Sequence, residues 1–163
     1  MKYWLMKSEP SVFGIDDLAA APKRTSAWDG VRNYQVRNML RDEFAIGDLA
    51  FFYHSSCDVP GIAGIVEVTS RGYPDATAFD RKHANYDAAS KPDDPRWYVV
   101  DVRLQKKFPR VITLEELRAH EPGKLRDLLI LRRGNRLSIT PVAAAHWKFI
   151  TALAGERSHL TKS

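Results

Sequence analysis

Apolar and polar residues alternate over 96–108, where Val100, Val102 and Leu104 are separated by Asp101, Arg103 and Gln105, the period of a strand with one buried face. Runs rich in strand formers at 2–6 (KYWLM), 47–56 (GDLAFFYHSS) and 61–73 (GIAGIVEVTSRGY) predict further strands. The brief CDVP break between the last two predicts that they pair as antiparallel neighbours, and a short final strand is expected over 135–141. Helical spacing holds instead over 29–44, where Val36, Met39 and Leu40 share one face and Arg32, Asn33 and Arg37 lie on another. Asp16 and Asp17 suit the first turn of a short helix that stops at Pro22. Thr113 with Glu116 three residues later marks another helix start. The stretch 123–131 reads as a short helix or turn, and 141–155 as a terminal helix opened by Pro141 and closed by Gly155, with His146 and Trp147 packing inward. A polar tail is expected over 156–163. Between the strands, 75–95 is polar and limited by prolines, a loop long enough to be uncommon in a compact domain and often functional. No repeat, low-complexity tract or linker interrupts the chain, so the pattern predicts one α+β domain over 1–155, built around one sheet or partly closed barrel.

Composition narrows this. The 163 residues are 44% hydrophobic, enough for one real core. No apolar run approaches the roughly 20 residues that span a bilayer, and the N-terminus is too short and aromatic for a signal peptide. No membrane association is expected, and a cytoplasmic protein in a bacterium or a nuclear one in a eukaryote is the reading. Cys57 is the single cysteine, which excludes an intramolecular disulfide, and with five scattered histidines it gives no zinc spacing, so neither metal nor cofactor is expected. The net charge of +5 favours a polyanionic partner, or simply a solvated surface. Between Val102 and Arg136 ten Lys or Arg face four acids, which concentrates the bias in the C-terminal half.

Candidate chemistry divides in two. His54, Cys57 and Asp58 are close in sequence, but a thiolate needs a base in reach and a third group to orient it, which neighbours at a strand end seldom supply. No glycine-rich phosphate loop is present. Recognition of a nucleobase fits better, because a lone base needs an aromatic plate and short polar groups at its rim. Three places offer these: Ser8 and Glu9 after the first strand, Trp28 with Asp29 and Asn33, and Tyr53, His54 and Ser55 at another strand end. Each also has an ordinary structural reading, Trp28 and Tyr53 as core and Ser8–Glu9 as a turn. On the functional reading Trp28 stacks, Asn33 reads the base edge, and Arg32 or Arg37 supplies charge for the backbone.

The segments YWLMKSEP, WDGVRNYQVRN, FFYHS, GIAG, the YPD of Tyr73 to Asp75, DPRWYVVDV and RLSITP follow one another in this order, and together they resemble the EVE domain family over about residues 2–154. The resemblance implies a PUA-like mixed β pseudo-barrel surrounded by short helices, similar in layout to the YTH readers of methylated adenine. It implies a nucleic-acid partner carrying a modified base. Lys7, Ser8 and Glu9 with Ala27, Trp28 and Asp29 would then border the base pocket. Ser8 and Asn33 would contact the base edge, with Tyr34 beside them, and Tyr53, His54 and Ser55 would line another wall. Tyr98, Arg37, Arg132 and Arg133 would finish the rim or hold phosphates. Two alternatives stay open: a hydrolase acting on a modified base or nucleoside, with Lys7, Glu9, Asp29 or His54 moving protons, and an RNA-binding module indifferent to modification.

Overall fold

In the computed structural model, which describes the backbone of residues 1–160 and the side chains of 1–155, strand β1 (Tyr3–Ser8) forms over the apolar run expected at 2–6. Its neighbour on one side is β3 (Leu49–His54), parallel to it with Lys7 opposite Tyr53 and Ser8 opposite His54. On the other side lies β8 (Ile139–Val142), antiparallel. β3 continues through the predicted antiparallel pairing into β4 (Gly61–Val68), and β4 into the long β7 (Asp101–Thr113). β2 (Thr25–Ala27), which the hydrophobic pattern does not mark, closes the far edge, giving the order β2-β7-β4-β3-β1-β8. β5 (Tyr73–Pro74) and β6 (Tyr98–Val99) form a separate small pair. The six-stranded mixed sheet is a half-barrel with short helices, the expected α+β class.

Pro109 interrupts the alternation of β7 without ending the strand. The register of β4 against β7 shifts between Ile62 and Gly64, so that Lys107 pairs with Gly64 and Ile112 with Ile62, and Pro109 falls in the irregular stretch where no ladder donor is required. The chains approach closely there. A Cβ on Gly64 would collide with the Lys106 carbonyl oxygen.

Both faces of the sheet are covered, because successive strand residues point to opposite sides. Trp4, Met6, Ala50 and Phe52 pack under α2 (Ile15–Ala20), α3 (Tyr34–Asn38) and the π-turn Met39–Glu43. Leu5, Phe51 and Tyr53 pack under α4 (Leu114–Ala119) and α5 (Ala144–Leu160). Trp147 anchors α5 by stacking between Phe51 (4.0 Å between centroids) and Tyr3 (4.5 Å). A first short helix, α1 (Pro10–Phe13), connects β1 to α2.

Several boundaries differ from expectation for local reasons. The helix expected over 29–44 starts only at Tyr34: Gly30 has φ +81, and Asn33 stays extended while its side-chain Oδ1 accepts the Val36 N–H at 3.0 Å as an N-cap. Pro141 belongs to β8, opposite Trp4, on an edge strand that tolerates its missing N–H. The terminal helix therefore begins at Ala144, and it runs through Gly155 to Leu160 rather than ending there. Of the tail expected over 156–163, residues 161–163 lie outside the described residues. Thr113 caps α4 as expected, its Oγ1 accepting the Glu116 N–H at 3.0 Å.

One buried carboxylate ties the strand ends together. Asp48, 2% exposed, accepts the Trp4 indole N–H and the backbone N–H groups of Lys2 and Ala45, each at 3.0 Å. Asp48→Ala leaves the buried indole N–H without its acceptor and should cost about 3 kcal/mol, read as a shifted denaturant midpoint, with Asp48→Asn recovering part. A loss within experimental error would show that the strand ends hold without it.

His54 ends β3 with its Nε2 accepting the Ile15 N–H at 3.1 Å, which needs a neutral ring, and burial lowers its pKa below the ordinary 6.5. Because the folded state holds the proton less tightly than the unfolded one, its contribution is complete above the unfolded pKa and is lost as pH falls through the folded one. Between about pH 7 and 5 the wild type should lose stability more steeply than His54→Gln. Parallel unfolding curves for the two proteins would remove this role.

Candidate nucleic-acid interface

A cleft of about 530 Å³ opens where β1 ends and the loop after β2 crosses it. Lys7 and Ser8 line it from β1, Glu9, Val12 and Phe13 from the first helical turn and its cap, Ser26 to Gly30 from β2 and its loop, and His83 to Asn85 from the long loop. Lys7, Ser8, Glu9, Trp28 and Asp29 are thus brought together in one cleft. Val12 presents its side chain at the mouth with 77% exposure, an apolar surface that a flat ligand would cover.

Trp28 is both a core residue and a cleft residue. Only 8% exposed, it meets Phe52 edge-on at 5.4 Å and belongs to the core, yet it also lines the cleft. Its backbone N–H donates to the Val100 carbonyl at 2.9 Å, fixing the loop's departure from β2.

The rest of that loop is held by Asp75, 1% exposed. Its carboxylate accepts the Gly30 N–H (3.0 Å), the Thr77 N–H (2.9 Å) and hydroxyl, and Arg32 Nη1 (3.2 Å). Burial by itself would push this carboxyl up, but the hydrogen bonds from Thr77, Gly30 and Arg32 outweigh it and hold the pKa below the usual range. Arg32 also donates to the Asn85 carbonyl, and Asn85 Nδ2 donates to Thr77 Oγ1 at 3.1 Å. The His83–Asn85 wall is thereby bonded to the Trp28 loop. Gly30 is needed at this junction both for its positive φ and because a Cβ would press within 3.3 Å of the Asn85 amide.

Electrostatics differ across the cleft. Burial, then the neighbouring Asp75 charge, raise the Asp29 pKa against the opposing pull of His83 and Arg32. Burial lowers that of Lys7. The Ser8 hydroxyl donates to the Phe13 carbonyl at 2.6 Å, so it shapes the rim while its oxygen can still accept.

Other predicted residues lie elsewhere. Asn33 is spent on the α3 cap and is not among the cleft residues. Tyr34 stacks on Trp97 at 4.8 Å, with Arg37 over its ring and Arg32 over Trp97. Arg32 is consumed by Asp75, and Arg37 donates to the Arg96 carbonyl and to Asn38. Tyr53 and His54 cannot share a wall, since adjacent strand residues face opposite ways: Tyr53 joins the core under α4, and burial pushes its phenol up to about 12. Tyr53 and Ser55 line a second depression with Lys7, whereas His54 holds Ile15. Tyr98 packs against the Trp4 core. Arg132 and Arg133 are exposed in the loop before β8, Arg132 near Asp127 at 3.8 Å, and neither lines the cleft. Among the described residues no group of three or more His, Cys, Asp or Glu is arranged to hold a metal, and no helix is long and apolar enough to cross a membrane.

Val12, Phe13 and the His83–Asn85 wall had no individual signal in the sequence. The length of the 75–95 loop pointed to the segment, but it is the bonds of Asn85 to Arg32 and Thr77 that bring its cleft residues to the Trp28 loop.

Comparison with known proteins agrees with the motifs. The EVE domain model matches residues 2–153. Thymocyte nuclear protein 1 of Danio rerio is 44% identical over 168 residues, covering 94% of this chain and 72% of that protein. A crystal structure from Pseudomonas putida is 46% identical with a TM-score of 0.87, covering 93% of this chain and 99% of that one. Human THYN1 protein, solved in complex with DNA containing 5-methylcytosine, is 42% identical with a TM-score of 0.88, covering 94% and 98%. The half-barrel is of the PUA-like α+β kind. Since the family match and these likenesses in sequence and backbone all run over nearly the whole length, the chain belongs to the EVE domain family.

Proposed function

We propose that this chain is a non-enzymatic reader that takes one modified nucleobase of a nucleic acid into the cleft between β1 and the Trp28 loop. The observation that carries the reading is the lining itself: apolar Val12, Phe13 and Trp28 around a space within the roughly 300–1,000 Å³ typical of small-ligand sites, with Ser8, Glu9, Asp29 and Asn85 converging on it. The human relative's complex with DNA containing 5-methylcytosine supports a methylated cytosine in DNA ahead of a hydroxymethylated cytosine or a methylated adenine.

In this reading Trp28 is the stacking plate, worth about 1–3 kcal/mol per base. Its core packing keeps it in place without ligand. Edge readout passes from Asn33, which is engaged in its cap, to Asp29 and Asn85. A cytosine edge offers an amine donor beside a ring-nitrogen acceptor. The Asp29 carboxylate, whose pKa burial raises from its ordinary value, can accept from the first. A methyl group buried against Val12 or Phe13 adds about 0.8 kcal/mol, roughly a fourfold preference. Extracting the base from a duplex costs a few kcal/mol, so single strands should bind more tightly.

Binding of short DNA and RNA strands, each with one cytosine or one 5-methylcytosine, tests this at physiological salt. The wild type should favour the methylated DNA strand by about fourfold or more. Trp28→Phe, which keeps an aromatic core residue, should weaken every ligand, and Asp29→Ala should weaken cytosine-containing strands most. Equal affinity for modified and unmodified strands would overturn the reader, and release of a base or altered nucleoside at stoichiometric protein would reassign the cleft to a hydrolase.

A further inference from the structure

The family resemblance implied one pocket for Tyr53, Ser55 and Trp28, but the fold separates the first two from Trp28. Tyr53, Ser55, Ser56, Cys57, Pro60, Leu114 and Ile130 line a second depression of about 350 Å³, and Lys7 is the one residue that also lines the Trp28 cleft. The division follows from the parallel pairing of β1 with β3. Both strands end at the same level, Lys7 beside Tyr53 and Ser8 beside His54, and the Ser55 N–H donates to the Ser8 carbonyl at 2.9 Å. The ridge between the two depressions is therefore one pair of strand ends wide, with a lysine on it.

Among the described residues the half-buried Lys7 ammonium makes no ion pair or hydrogen bond, although Glu9 lines the same cleft, and burial lowers its pKa. A partly desolvated cation without a counter-charge favours an anion between the two depressions. The two linings also differ in charge. The Trp28 cleft carries the carboxylates of Glu9 and Asp29, which repel phosphate, whereas the second depression is lined by no acid and by the hydroxyls of Ser55 and Ser56. Tyr53, Pro60, Leu114 and Ile130 add an apolar wall on which a sugar or a neighbouring base can rest.

We infer that the second depression is a subsite for the neighbouring nucleotide of the same strand, whose linking phosphodiester lies on Lys7 and within reach of the Ser55 and Ser56 hydroxyls. This rests on the Trp28 cleft holding a base, and it makes the recognised unit at least a dinucleotide.

Amide NMR shifts separate the two claims, with 5-methyl-2′-deoxycytidine and a DNA trinucleotide centred on 5-methylcytosine as probes. The nucleoside should move Gly30 and Asn85 alone, and the trinucleotide should also move Ser55, Ser56 and Cys57. Relative to the nucleoside, trinucleotide affinity should fall about threefold or more in Ser56→Glu and rise in Ser56→Lys, a sign reversal that mere loss of packing would not give. In Lys7→Met the dependence of log affinity on log salt should flatten by about 0.7. Trinucleotide shifts confined to Gly30 and Asn85, nucleoside shifts at Ser55–Cys57, or equal effects of Ser56→Glu and Ser56→Lys would overturn the second subsite and leave the reader standing. Failure of both probes to move either set would overturn the base-binding reading and this inference with it.

Discussion

The cleft exists because one carboxylate is buried with its charge matched. Asp75 lies under the loop that carries Trp28, where an unpaired charge would be strongly destabilising, and it is met by two backbone N–H groups, a hydroxyl and a guanidinium. Each donor comes from a segment that forms part of the cleft or supports it. Gly30 continues from Trp28, Thr77 opens the long loop, and Arg32 reaches on to the Asn85 carbonyl. Two irregular segments, neither able to bury much apolar surface, are thereby fixed against each other. Arg32, which by composition alone looks like a phosphate contact, acts inside the protein as the link between them.

Sheet geometry imposes the second constraint. Tyr53 and His54 are adjacent, and a pleated strand sends them to opposite faces, one to the Leu5 and Phe51 core and the other toward Phe52 and Ile15. A motif that is continuous in sequence is thus divided between two sides of the sheet. Lys7 escapes the division because it stands at the end of β1, where the strand no longer separates the sides completely.

The elements with strong periodicity were legible. Alternation around Val100 to Leu104 gave the start of β7, the CDVP break gave the β3–β4 pairing, and Thr113 gave the start of α4. The EVE motifs gave the family and the PUA-like class. What escaped was set by single backbone or tertiary events. The extended conformation of Asn33 delayed α3 and removed that side chain from the cleft. The pairing of Pro141 with Trp4 turned a presumed helix start into a strand. Strand β2 is three residues long and sits at a sheet edge, too short to show a period. The excess of cations between Val102 and Arg136 was real in composition but reduced in space, since Arg103, Lys107, Arg110 and Arg132 face Glu67, Asp16, Glu116 and Asp127.

Charge placement then orders a bound nucleotide in the proposed reading. A cleft that holds Glu9 and Asp29 disfavours phosphate, so a nucleotide entering it must lead with its base, and its backbone must stay where cations stand unmatched. Lys7, at the edge of that cleft, is such a place. Orientation would thus come from where the negative charges are as much as from where the positive ones are, and a net charge of +5 would assist approach without fixing the pose. Trp28 adds rigidity to this arrangement. Because its indole is already packed against Phe52, closing a base onto it orders no further side chain, and the free energy of stacking goes into affinity rather than into reorganisation.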